Sequence, residues 1–340
     1  MTSTGRVARL HARGDLRLTD EPVPVPAADE SLVRVTAVGL CGSDLHWYAE
    51  GGIGDARLER PLVVGHELAG VVEGGPDHGL RVAVDPAIPC ERCETCRSGW
   101  RNLCPTVRFA GHGGLDGGLR QYLTWPTALL HPVGDALSDA DTAMLEPLGV
   151  AIHAMDLGPV RLGGTVAVVG CGPIGLLLVQ LARSAGAGLV VATDPRAHRV
   201  RAALRHGADA AHVDASGAAL EGLDADVVFE VAGSDEAVAA ALTAARPGAR
   251  VVLVGIPDDD HTTFAASTAR RKGLTLALVR RMNDVYPRAV RLVERGVVDV
   301  ASLVTHRYPL ERVADAFAAA VDREGLKVVV EPTGGAPSDG

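Results

Sequence analysis

Four of the chain's six cysteines fall in one short run, Cys90-x2-Cys93-x2-Cys96-x7-Cys104. Four thiolates fill a tetrahedral metal shell completely and leave no position for water or substrate. The run therefore predicts a structural zinc. An iron–sulfur cluster fits less well, because the last gap in a ferredoxin run is shorter and two-cluster ferredoxins need more cysteines. Of the two remaining thiols, Cys171 lies inside a glycine turn and reads as a small packed residue. Cys41, in GLCGSDLHWY, is more suggestive, because VVGHELAG sets His66 and Glu67 side by side after a β run. A catalytic zinc uses a few protein ligands and keeps one position open. Cys41 and His66 are the available soft and borderline donors. With no further cysteine free, a third ligand should be a carboxylate, either Glu67 or Glu146 in MLEPLGVAIHA. Taken singly, Cys41 reads equally as buried packing and His66–Glu67 as a loop pair; only together with a nucleotide site do they argue for catalysis.

That nucleotide site is written in GCGPIG, residues Gly170, Cys171, Gly172, Pro173, Ile174 and Gly175. The motif alone is weak, but it follows the strand-like TVAVV, opens a helix, and is followed about 20 residues later by Asp194 at the end of the next strand, as a dinucleotide fingerprint requires. Gly170 permits the tight turn, Gly172 lets the backbone approach a pyrophosphate, and Gly175 lets helix and sheet pack closely. The helix start offers free N–H groups and its dipole to the anion. Asp194 should accept from the adenosine ribose hydroxyls and repel a 2′-phosphate, which favours NAD over NADP; Arg196 and Arg199 soften that preference.

Two kinds of scaffold are needed to position these residues. Up to about Gly149 the signals are short β-branched runs between turns (SLVRVTAVG, LAGVVEG) and a Pro-rich connector from Glu21 to Ala27, which predict an irregular, mostly β domain. From TVAVVG onward, apolar runs alternate with Ala-rich helical stretches, the pattern of a parallel sheet covered on both faces. YPRAVRLVERG and ERVADAFAAAVD read as helices, LKVVVEP as a last strand, and TGGAPSDG as a frayed tail. The 340 residues suit two domains. A net charge of -9 disfavours a general nucleic-acid binder, and the basic run Arg196 to Arg205 reads as a solvated helix face. No apolar stretch of about 20 residues suggests a membrane span, and MTSTGRVARLHARGD lacks the apolar core of a secretory signal. The expectation is a cytoplasmic protein, where clustered cysteines bind metal more often than they form disulfides.

CGSDLH, GHELAG, the four-cysteine lobe, EPLGVAIHA, GCGPIG with its TD, and VTHRYPL together resemble the zinc-dependent medium-chain dehydrogenase family over nearly the whole chain, and within it the polyol (sorbitol/xylitol) dehydrogenases. The resemblance implies an α/β protein: a chaperonin-10-like β catalytic domain over 1–149 with its zinc lobe at about 86–108, a doubly wound Rossmann domain over 150–280 binding NAD, and a return to the catalytic domain over 281–340. Active sites in this family lie in the cleft between the domains. The resemblance further implies one catalytic zinc at Cys41, His66 and Glu67, with Glu146 where classical alcohol dehydrogenases place a second ligand cysteine. Ser43 matches the hydroxyl that contacts the substrate oxygen, and His46 a proton-relay histidine. Trp47 and Phe109 match a polyol pocket, and Arg280 a contact to substrate or cofactor. Asp194 and Arg199 match adenosine-side contacts, and Val254, Gly255, Ile256, Leu278, Val279 and Arg280 nicotinamide-side ones.

The implied reaction oxidises a secondary hydroxyl of a polyol to the ketose, or the reverse, with Ser43 and His46 carrying the proton outward. A homodimer or tetramer is implied, acting on a small molecule, with no nucleic acid or membrane partner. Trp47 and Arg281 stand where polyol dehydrogenases often carry tyrosines, and VVEGGPDHGLRVAV is shorter than usual, which predicts a trimmed hairpin. Alternatives are a threonine, butanediol or other secondary-alcohol dehydrogenase, or a non-catalytic NAD-binding protein; the set Cys41, Ser43, His46, His66, Glu67 and Glu146 argues against the last.

Overall fold

The computed structural model describes residues 3–258 and 260–333. The chain separates into two compact units. The first comprises the residues up to Glu146, then Tyr286–Glu294, then those from Val300 on; the second comprises Pro147–Val285 and Arg295–Asp299.

The second unit is the alternating half of the sequence. Strands Thr165–Val169, Leu189–Asp194, Ala210–Val213, Ala225–Glu230, Ala245–Leu253 and Thr275–Leu278 are all parallel and lie in the order third, second, first, fourth, fifth, sixth. Four of the five residues of TVAVV are buried, as a strand covered on both faces requires. The helix Pro173–Ser184 buries a continuous stretch from Gly175 to Ala182, whereas Ala197–Arg205 buries only Val200, Ala202 and Ala203 and turns Arg201 and Arg205 outward. The strand order reverses between the first and fourth strands, so a crevice opens beyond their carboxyl ends at Val169 and Glu230. Ala210–Val213 was not expected: it is a short edge strand with Val213 59% exposed, so no apolar run marks it.

In the first unit, the strand Glu30–Gly39 is the hub. Its carboxyl end pairs on one side with Glu67–Glu73 (Gly39 opposite Glu67) and on the other with the C-terminal strand Lys327–Glu331 (Gly39 opposite Val329). Arg81–Val84, Leu130–Pro132, Val304–Pro309 and Tyr122–Pro126 complete a seven-stranded sheet. Its packed face is built from Val33, Val35, Leu68, Val72, Trp125 and Phe317. An N-terminal hairpin, Thr4–Ala12 with Asp15–Pro22, stands beside it, also unmarked by a clean apolar alternation. The four-cysteine lobe is closed at its base by Ala87–Ile88 pairing with Arg108–Phe109.

The helix Tyr286–Glu294 belongs to the first unit because its first residue is sunk there: the Tyr286 hydroxyl donates to Val84 O at 2.9 Å and the ring stacks on His131 at 4.5 Å. Arg295–Asp299 belongs to the second, where Gln180 and Asp299 exchange bonds of 2.9 and 2.7 Å. Of the tail expected to fray, Thr333 is fastened by a 2.7 Å bond to Val35 O; the rest lies outside the described residues. Among those residues, no helix is long and apolar enough to cross a membrane. Tyr286→Phe should lower unfolding stability by about 0.5–1.5 kcal/mol, because it removes the buried hydrogen bond from the hydroxyl to Val84 O. Urea denaturation of the variant against wild type measures this; an unchanged midpoint contradicts the anchoring role.

Candidate functional site

Cys41 follows the hub strand and caps the helix Gly42–Glu50. Asp44, fully buried, accepts from Cys41 N and from Gly65 N, both at 3.0 Å, and approaches His66 Nδ1 at 3.4 Å. One carboxylate thus joins the start of the helix to the turn that delivers His66. The other imidazole nitrogen, Nε2, faces Ser43 Oγ at 3.4 Å, and Phe109, from the base of the cysteine lobe, lies against the ring at 5.2 Å. Burial opposes a charged His66, but Asp44 and Cys41 outweigh it and hold its pKa well above the ordinary value. Burial likewise pushes Asp44 up, and His66 with the two amides holds it below the usual carboxylate range. A metal ion taken by His66 must therefore displace a proton, which makes affinity pH-dependent.

The two candidate carboxylates are in different states. Glu67, 1% exposed, is held by Lys327 Nζ at 2.7 Å from each oxygen. Its place is built for it: a Cβ on Gly39, the cross-strand partner, would collide with Glu67 Oε2. Breaking such a buried pair costs roughly 3–5 kcal/mol. Glu146, 4% exposed, is pushed up to about 7, first by burial, then by Glu67 and Asp85, against the pull of His66 and Lys327. Among the described residues, no three donor atoms of Cys41, His66, Glu67 and Glu146 lie within 4.8 Å of one another. The donor types still suit zinc: a thiol, an imidazole oriented through its other nitrogen, and buried carboxylates.

The cysteine run is gathered more tightly. The sulfurs of Cys90, Cys93, Cys96 and Cys104 all lie within 4.8 Å of one another, close to the roughly 3.8 Å edge of a tetrahedron with 2.3 Å zinc–sulfur bonds. Backbone amides already point at them: Cys93 N to Cys90 Sγ, Cys96 N to Cys93 Sγ, and Cys90 N to Cys104 Sγ, each at 3.4 Å. The Arg92 and Cys93 amides draw Cys90 down to about 6, whereas burial pushes Cys96 up to about 12. Four thiolates at neutral pH thus need a cation among them.

In the second unit Gly170 adopts φ +104°, in the region that favours glycine. A Cβ on Gly175 would collide with Gly170 O, while one on Gly172 would meet only Arg199, at 3.8 Å. So Gly172 leaves open space at the helix start and Pro173 occupies its first turn. Asp194 accepts from Cys171 N (2.9 Å) and Arg196 N (2.8 Å), with Arg199 Nη1 3.9 Å away. Val254 N bonds Glu230 O at 2.8 Å and Val279 N bonds Leu253 O at 2.9 Å. Ile256 is 51% and Leu278 75% exposed at neighbouring strand ends, and Arg280 is exposed. Elsewhere, His46 Nδ1 meets Glu50 at 2.9 Å, and Trp47 is a core residue, edge-on to His112 at 5.5 Å.

Three buried charges escaped the sequence reading: Asp44, Lys327 and Glu230. The first had a signal, an acid three residues after a helix cap. The others are single charges at the ends of apolar strands. Glu230 Oε1 accepts from Ala232 N and Gly233 N, both at 2.7 Å, beside the crevice.

The family model of the alcohol dehydrogenase GroES-like domain matches residues 27–135, and that of the zinc-binding dehydrogenase matches 173–295. Over 342 residues the chain is 35% identical to sorbitol dehydrogenase of Bacillus subtilis (strain 168), covering 96% of this chain and 97% of that one. Among solved structures, L-idonate 5-dehydrogenase from Escherichia coli K-12 is similar with a TM-score of 0.88 at 28% identity, covering 98% of this chain and 99% of that one. A zinc-binding dehydrogenase structure from Sinorhizobium meliloti 1021, bound to NADP, gives 0.89 at 30% identity over 97% and 100%.

Glu146 generates a pH test in metal-free protein. Its folded pKa of about 7 lies above the ordinary 4.5, so its contribution to stability is full below about pH 4.5 and is lost as pH rises to 7. Glu146→Gln should flatten that part of the stability–pH curve. Parallel curves for variant and wild type between pH 4.5 and 7 would contradict it.

Proposed function

The chain belongs to the zinc-binding dehydrogenase family, and we propose that it oxidises a secondary hydroxyl of a polyol to the ketose, reversibly, with NAD and a catalytic zinc. The relative named sorbitol dehydrogenase supports the substrate class. The observation that carries the reading is the half-buried Cys41 beside the buried His66, whose imidazole is oriented by Asp44 and faces Ser43, in a chain that also gathers four cysteines into a separate, closed cluster. In this reading the first unit is the catalytic domain and the second the dinucleotide domain.

Bound zinc would supply Lewis-acid polarisation of a hydroxyl, and bound NAD would accept the hydride. Cys41 and His66, with a carboxylate from Glu67 or Glu146, would hold the metal; Cys90, Cys93, Cys96 and Cys104 would hold a second, structural one. Ser43 would take the substrate hydroxyl's proton while giving its own up toward His46, with Glu50, 2.9 Å from His46, offering the way out: its side chain is 46% exposed against 16% for His46. Phe109 and Trp47 shape the substrate side, and Arg280 contacts substrate or cofactor. Gly170, Gly172, Pro173, Ile174 and Gly175 seat the pyrophosphate, and Asp194 reads the ribose with Arg199 beside it. Val254, Gly255, Ile256, Leu278 and Val279 line the nicotinamide, which would cover the exposed apolar Ile256 and Leu278. The enzyme acts in the cytoplasm as a homodimer or tetramer.

The decisive experiment is a reduction assay over a panel of polyols, threonine and butanediol. Polyols should give the highest kcat/KM, and NAD should exceed NADP by about tenfold or more, roughly 1.4 kcal/mol of discrimination. Cys41→Ser or His66→Ala should lower kcat/KM by roughly 10²–10³-fold, the several kcal/mol a Lewis acid supplies, with NADH binding retained. Highest turnover of threonine or butanediol, or equal use of the two cofactors, would overturn the respective assignment.

A further inference from the structure

Of the chain's 33 basic residues only Lys272 and Lys327 are lysine; the other 31 are arginine. A compact ammonium with three donors on one nitrogen can do what a planar guanidinium cannot. Both lysines use three bonds from one nitrogen. Lys272 Nζ donates to the carbonyls of Leu242, Thr243 and Ala245 at 3.1, 2.7 and 2.7 Å, closing the end of the helix Asp235–Ala244. Lys327 Nζ donates to Leu40 O at 3.1 Å and to both oxygens of Glu67 at 2.7 Å.

The targets of Lys327 are the immediate chain neighbours of Cys41 and His66, the two ligands on which the proposed metal site chiefly rests. Leu40 O belongs to the peptide that leads into Cys41, and Glu67 follows His66. Asp44 grips the same two segments from their N–H groups, through Cys41 N and Gly65 N. Two buried charges of opposite sign therefore brace one pair of ligands, the cation arriving from a strand some 260 to 287 residues away in sequence. Leu40 N bonds Val328 O at 2.9 Å, so the register of the last strand fixes where the ammonium stands. Lys327 is 4% exposed, and since no guanidinium nitrogen carries more than two N–H groups, an arginine there cannot place three from one nitrogen on these acceptors.

We infer that Lys327 is a positioning residue for the catalytic metal: its ammonium, through Leu40 O and Glu67, sets the spacing of Cys41 and His66 by geometry and not by charge alone. The inference rests on the proposed zinc site. Partners that orient ligands from outside the metal's shell typically cost 10–100-fold in metal affinity when removed.

Wild type, Lys327→Met and Lys327→Arg, each loaded with zinc, are titrated with a chromogenic chelator, and the cobalt-substituted forms are compared by visible absorption. Wild type should hold two zinc ions per chain. Both variants should keep one at wild-type affinity, in the cysteine cluster, and bind the other about 10–100-fold more weakly, with altered cobalt bands. Lys272→Arg should leave the second ion's affinity unchanged. Wild-type affinity in Lys327→Met overturns the inference, and full restoration by Lys327→Arg overturns its geometric part, leaving charge alone. The cluster's zinc and NADH fluorescence report folding; should Lys327→Met lose these, Lys327→Arg carries the test. A wild-type chain that binds a single zinc overturns the proposed function, and the inference with it.

Discussion

A carboxylate buried inside a sheet needs an opposite charge or hydrogen-bond donors, and for Glu67 Lys327 supplies both, with one ammonium 2.7 Å from each oxygen. That single requirement organises the first unit. The hub strand must carry glycine at position 39 so that the carboxylate fits, and the C-terminal strand must return to the hub's other side so that Lys327 can reach it. The second unit is thereby an insertion in the chain of the first, which closes only after Val300. Cys41 and His66 inherit their positions from this arrangement, one at the end of the hub strand, the other at the start of its neighbour.

The two groups of metal-suited residues divide the labour by completeness. Four sulfurs, three of them accepting from backbone amides of the same run, form a closed shell with no place for a substrate. Its influence on chemistry runs through packing: the strand pair that closes the lobe ends at Phe109, whose ring lies against His66. The Cys41–His66 pair is poorer in donors, and in the proposed function that leaves a metal there a position open for substrate. Glu67, held by Lys327, and Glu146, shifted to about 7 by burial first, are two buried acids held in different ways.

Much of this was legible in the residues, for identifiable reasons. The Gly170–Gly175 turn with Asp194 is a local pattern whose glycines are dictated by backbone geometry, and the cysteine run is a local pattern dictated by coordination; both can be read without knowing the fold. The parallel sheet showed through its apolar runs, except for Ala210–Val213, whose outward side chains leave no such run. What could not be read was non-local. Lys327 is one charge in an apolar strand until the sheet sets it beside Leu40 and Glu67, and Asp44 is an ordinary helix-start acid until the turn at Gly65 meets it. The boundaries at Tyr286 and at Arg295–Asp299 likewise follow from where single side chains, Tyr286 and Gln180, find their partners.

The proposed function requires two metal sites of different kind in one chain. Anomalous diffraction at the zinc edge from crystals of the zinc-loaded enzyme measures this directly. Two peaks per chain are expected: one surrounded by the sulfurs of Cys90, Cys93, Cys96 and Cys104, the other bound by Cys41, His66 and a carboxylate with a position left for a small ligand. A single peak at the four sulfurs, or a second peak away from Cys41 and His66, would contradict it.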